Sequence, residues 1–182
     1  MAKKKAGKHN IFVCIFATVI IVGLVLAIVG MCINVIKATT TVTVLGKEKV
    51  TETFIKLFDK EWADYKEHDV ANNTFLIISF IVTLVGLAVL LADSCLHLFA
   101  KKDLKILRII GAALAIVGAI LILVAGLTLV GAFNDAFSAD GGVEGFVEGS
   151  YKHTAAAGVW LGFVGGLVGG VAGGLGLLKQ FN

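Results

Sequence analysis

The sequence predicts an all-α membrane protein. It reads as a bundle of four transmembrane helices with a larger first extracellular loop made of a short strand and an amphipathic helix. Of its 182 residues, 58% are hydrophobic and none is proline, and the mean hydropathy is +0.94; this is too apolar for a soluble domain. Four stretches, 11–36, 74–92, 109–133 and 154–178, contain no Asp, Glu, Lys or Arg. Each matches the length of about 20 residues that a helix needs to cross a ~30 Å hydrocarbon core. Charge then alternates across them: segments 1–10, 93–108 and 179–182 carry +4, +2 and +1, whereas loops 37–73 and 134–153 carry −1 and −3. By the positive-inside rule the three basic segments are cytoplasmic and the two loops lie outside a cell membrane. Residues 1–182 form a single four-span domain on this reading.

The tail MAKKKAGKHN acts as a topology signal. The first apolar run is longer than the 7–15 residues of a cleaved signal, so it is an anchoring span. It places Gly23, Ala27 and Gly30 on one stripe with Asn34. In loop 37–73, the β-branched run Thr39 to Val44 reads as a short strand, and Gly46 offers a turn. Val50, Phe54, Leu57, Phe58, Trp62 and Tyr65 are then spaced 4, 3, 1, 4 and 3 apart, which predicts an amphipathic helix near 50–67. Phe54, Phe58, Trp62 and Tyr65 are its partner-contact face, lying across the mouth of the bundle. The neighbouring Asp64, Glu67, His68 and Asp69 read as a solvated acidic turn, not a metal site.

Span 2 sets Ser79, Thr83, Gly86 and Asp93 on one stripe, and Asp93 is placed to bridge Arg108 or Lys105 at the base of span 3. Span 3 shows the stripe Gly111, Ala115, Gly118 and Ala125. The third connection, with Gly141, Gly142, Gly145 and Gly149, reads as a flexible acidic loop with one helical turn.

Span 4 holds nine of the chain's 22 glycines between Gly158 and Gly176. Gly158, Gly162, Gly165, Gly169 and Gly173 fall on one face, while Gly166, Gly170 and Gly174 lie toward its edge. In lipid a helix is enforced because bare backbone groups find no water, and glycine there lets a second helix approach closely. The stripe of span 3, with Gly111 and Gly118, is expected to take part of this face; the row Gly166, Gly170 and Gly174 is left for span 1 or a second copy. Every span carries small residues seven apart, such as Gly23 and Gly30 or Gly158 and Gly165, which points to one compact glycine-zipper bundle.

Four spans, internal termini, juxtamembrane Cys14 and Cys95 and a large first loop containing Trp62 resemble claudins and tetraspanins in topology. The paired cysteines of the claudin first loop and the cysteine-cysteine-glycine motif of tetraspanins are absent from this sequence. The resemblance implies a structural protein that associates laterally in a membrane.

Catalytic chemistry finds no footing. His9, His68, His97 and His153 are scattered on tails and loops, and no phosphate loop, metal-ligand spacing or nucleotide motif occurs. The reading is therefore not an enzyme, with no cofactor, no metal and no nucleic-acid partner. The function expected is that of a structural integral membrane protein. It would self-associate laterally through glycine-rich helix faces and outer-loop contacts, forming homo-oligomers or arrays in the lipid bilayer, with an extracellular partner surface in loop 37–73. The alternative is a channel, transporter or accessory subunit of a transport complex, for which Asn34, Ser79, Thr83 and Asp93 would line the path.

Overall fold

A computed structural model describes residues 2–44, 46–67, 72–100, 104–137 and 147–176. In chain order the elements are α1 (Ala2–Cys32), β1 (Asn34–Val44), β2 (Lys47–Lys56), α2 (Trp62–Glu67), α3 (Thr74–Ala100), α4 (Lys105–Phe137), β3 (Val147–Ala155) and α5 (Ala157–Leu167). The last helix continues with π-helical geometry over Val168–Leu175. The chain is mostly helical, and four helices are long and apolar enough to cross a membrane by length and composition: Ile11–Cys32, Thr74–Phe99, Lys105–Phe137 and Ala157–Gly174.

The four long helices form a closed ring. α1 packs on α3 and α5, and α4 packs on the same two. Buried apolar side chains gather at both ends. Phe80, Ile122, Leu129, Phe133 and Val159 fill the end nearest the sheet, and Val13, Ile20, Leu87, Leu90 and Ala112 fill the other.

The fold is not purely helical. Three antiparallel strands in the order β2-β1-β3 stand at one end of the bundle. A single residue separates α1 from β1, and a single residue separates β3 from α5. The sheet is thus a continuation of α1 and α5. Thr41 of β1 pairs with Val50 on one side and with Ser150 on the other. A break in the β1–β2 register between Asn34 and Ile36 marks the join to the helix, and there Ala156 N–H donates to the Val35 carbonyl (2.9 Å).

Several expected boundaries move. The helix expected near 50–67 is a strand from Lys47 to Lys56, a turn, and a helix of only six residues, Trp62–Glu67. The reason is that a spacing of four keeps Val50 and Phe54 on one face of a strand as well as of a helix. The β-branched residues Val50, Thr51, Thr53 and Ile55 then favour the strand, and β1 supplies a partner along its whole length. The third connection is not merely flexible, since Val147–Ala155 pairs with β1. Span 1 stops at Cys32 and span 4 starts at Ala157, because Val35, Ile36 and Thr154 are recruited to the sheet. Spans 2 and 3 run further than the apolar count implied, to Ala100 and from Lys105, and Asp93 and Arg108, the charges nearest the apolar runs, are paired inside the bundle. The glycine-rich 138–146 stretch, the turn around His68 and Asp69, and residues 177–182 lie outside the described residues.

Candidate functional site

Two features stand out: seams where glycines bring helices into backbone contact, and a hairpin that projects from the bundle.

The first seam joins α1 to α5. A Cβ added to Gly23 would sit 2.5 Å from the Gly165 carbonyl oxygen, and one on Gly165 would sit 2.6 Å from that of Gly23. Gly30 and Gly158 meet the same way, each 2.6 Å from the other's carbonyl oxygen. A real Cβ does not come this close to backbone, so the separation of these helices is set by the absence of side chains. Further along, Gly173 lies against Ile20 and Gly176 against the Phe16 ring.

The second seam joins the same helix to α4. A Cβ on Gly166 would meet that of Ala119 at 2.6 Å, one on Gly174 that of Ala112 at 2.7 Å, and Gly170 lies on Ala115 and Ile116. Gly162 faces the Phe80 ring and Gly169 faces Leu87 of α3. Both glycine rows are therefore occupied by neighbours in the same chain. The row left for span 1 or a second copy faces α4. Gly111 and Gly118 do not receive it; they face Gly86, Leu90 and Thr83 of α3, and alanines one position on in the α4 sequence meet the last helix instead.

At the far end of the bundle from the sheet, Arg108 Nε donates to Asp93 Oδ2 at 2.7 Å, and both side chains are about 1% exposed. This is the bridge expected between the base of span 2 and the base of span 3. Ser79, Thr83 and Ser94 of α3 turn to their own backbone. Ser79 donates to the Phe75 carbonyl (2.7 Å), Thr83 to that of Ser79 (2.9 Å) and Ser94 to that of Leu90 (2.9 Å).

At the sheet end, an aromatic joint ties strand to bundle. Trp62 is buried, and its indole N–H donates to the Lys56 carbonyl at 2.7 Å. Its ring and that of Tyr65 meet Phe133 of α4 edge-on, with centroids 5.8 and 5.1 Å away, an arrangement that adds to their area burial. Phe133 stacks in turn on His153 of β3 at 5.2 Å. The Asn134 amide closes the joint, accepting from His153 N–H at 2.7 Å and donating to its carbonyl at 3.2 Å. Burial lowers the pKa of His153 below the ordinary histidine value, because desolvation disfavours the imidazolium.

The expected partner-contact face thus divides. Trp62 and Tyr65 pack within the chain, whereas Phe54 and Phe58 are 46% and 61% exposed. Phe54 sits on β2 beside Lys37, whose ammonium bridges Glu52 at 2.7 Å and lies 6.0 Å from the Phe54 ring centre. Sequence reasoning missed the Phe133, Asn134 and His153 joint. Asn134 and His153 lie 19 residues apart at opposite ends of one connection, and only the sheet brings them together. Among the described residues no group of three or more His, Cys, Asp or Glu side chains is placed to hold a metal.

No protein-family model matches the chain, and a comparison with curated proteins likewise finds no match. The likeness to claudins and tetraspanins thus rests on span number and loop size alone.

Proposed function

We propose that the chain is a structural membrane protein, not an enzyme, that associates with copies of itself through its outer hairpin. One observation carries this reading: nine of the ten residues of β2 are exposed, while the glycine faces of the helices are already closed onto each other. The bundle is a rigid stand and the hairpin is what it presents. The glycine rows that the sequence offered for contacts between copies have partners within the chain, so lateral contact passes to the loop. The charge pattern supports cytoplasmic termini in a cell membrane, with Asp93 and Arg108 on the inner side and the sheet outside. Exposed Tyr151 and Trp160 suit the aromatic zone where lipid meets water.

A transport role has less support. Of the residues that would line a path, Asn34 lies at the start of β1, Ser79 and Thr83 donate hydrogen bonds to carbonyls of their own helix, and Asp93 is held by Arg108.

Native mass spectrometry and amine cross-linking in mild detergent test the proposal. Discrete dimers or larger oligomers are expected; a protein that stays monomeric at every concentration removes it.

A further inference from the structure

We propose that β2 is a homophilic edge: two copies join by antiparallel pairing of β2 with β2, centred on Glu52, so that two three-stranded sheets become one. This rests on the self-association reading above and names its contact.

An edge strand exposes a row of unpaired N–H and C=O groups, which natural proteins blunt with proline, bulges, brevity or repelling charge. β2 lacks proline, bulge and brevity, and the charge it carries is of both signs, so it does not repel a copy in every register. It is ten residues long, contains no proline, and holds an unbroken register with β1 from Ile55 to Lys47. Its charges are of both signs: Lys47, Glu48, Lys49, Glu52 and Lys56.

Symmetry restricts how such a strand meets its own copy. Residues directly opposite each other in an antiparallel pair share a face, so a two-fold axis must pass through a residue position. Centring on Val50 sets Glu48 against Glu52. Centring on Thr51 sets Glu52 against Val50 and Glu48 against Phe54; centring on Thr53 sets Glu52 against Phe54 and Lys56 against Val50. Centring on Phe54 sets Glu52 against Lys56 but pairs only residues 52–56 of the strand, whereas centring on Glu52 pairs 48–56 and sets Glu48 against Lys56 and Val50 against Phe54, each twice by symmetry, with Thr51 against Thr53 and Lys49 against Ile55 on the other face. Opposite charges, apolar pairs and paired threonines are the combinations that stabilise a sheet. Val50 and Phe54, 53% and 46% exposed, would cover each other. The two Glu52 carboxylates meet at the axis, and each is already bridged by its own Lys37 at 2.7 Å.

The test uses the full chain in proteoliposomes, with the exposed Cys14, Cys32 and Cys95 replaced by serine. Glu52→Cys should oxidise to a covalent dimer, whereas Glu48→Cys, several residues from the axis, should not. In a separate series, Glu48→Lys or Lys56→Glu alone should lower the dimer fraction by roughly tenfold, since two like-charge pairs replace two attractive ones. The combination Glu48→Lys with Lys56→Glu should restore it. Both positions are exposed on the sheet, so the swaps leave the fold intact. Equal cross-linking at the two cysteine positions, or no rescue by the double swap, overturns β2 pairing while self-association stands. A protein that is monomeric in all variants overturns both.

Discussion

The α1–α5 seam and the β1–β2 hairpin are adjacent in the molecule and opposite in construction. At the seam, Gly23 meets Gly165 and Gly30 meets Gly158 with nothing but backbone between them. There is no side chain to turn aside, so the spacing of the helices is fixed, and no rotamer freedom is lost on packing. Along the hairpin, Thr, Val, Lys and Glu side chains face water on one or both sides. The strands are held by each other and by the joint at Trp62, Phe133 and His153. One region therefore tolerates almost no added atom, and the other tolerates nearly any change that keeps the strand. If the hairpin is the contact proposed above, substitutions in the first region should act on stability and those in the second on association.

The largest effect is expected inside the bundle. Arg108→Ala leaves Asp93 buried without its counter-charge, which costs about 3–5 kcal/mol; reversible unfolding in a denaturing detergent measures it. Asp93→Leu combined with Arg108→Met should recover most of that loss, because a packed apolar pair needs no counter-charge.

Next comes the seam itself. Gly165→Leu drives carbon into the Gly23 carbonyl and should destabilise by about 3 kcal/mol. Val164→Leu, one residue away on a 42% exposed position, should stay within about 0.5 kcal/mol. Equal effects at the two positions would break the contrast drawn above.

A smaller effect is expected at the joint, and it depends on pH. His153 has a lowered pKa in the fold, so the unfolded chain takes up the proton first as pH falls through about 6.5. Stability is then full above that value and declines below it, levelling once the folded form is protonated as well. Unfolding measured between pH 7.5 and 5 should show this loss, and His153→Gln should flatten it.

The smallest effect on stability, with the largest on assembly, is expected at Phe54→Ser. The unfolding free energy should change by no more than about 0.5 kcal/mol while the dimer fraction drops.

Much of the bundle was legible in the sequence. Uncharged runs marked the four spans, and Asp93 was placed to bridge Arg108 or Lys105, of which Arg108 takes it. The owner of each glycine row was not legible. Periodicity assigns residues to a face of a helix but does not say which helix lies against that face. Thus Gly166 and Gly170 could be ranked as a surface, but not assigned to Ala119 and Ala115. The hairpin was half legible for a different reason: a four-residue interval satisfies both a strand and a helix, so Val50 and Phe54 did not discriminate. β3 was hidden because its strand character depends on β1. Thr154 lies 117 residues from Lys37, whose carbonyl accepts from its hydroxyl at 3.5 Å, and no local pattern carries information over that distance.

The central place of β1 has a consequence for how the molecule is made. β1 follows the first span, yet its second neighbour, β3, precedes the last, and α1 finds its glycine partner only in that last span. During synthesis α1 and β1 must therefore wait, with Gly23 and Gly30 uncovered and one side of β1 unpaired, until β3 and α5 have been made. Contacts of such long sequence separation form slowly, and waiting strands and small-residue helix faces are where newly made chains mispair. β3 and α5, neighbours in sequence, close both gaps, so sheet and bundle are completed by the same late stretch.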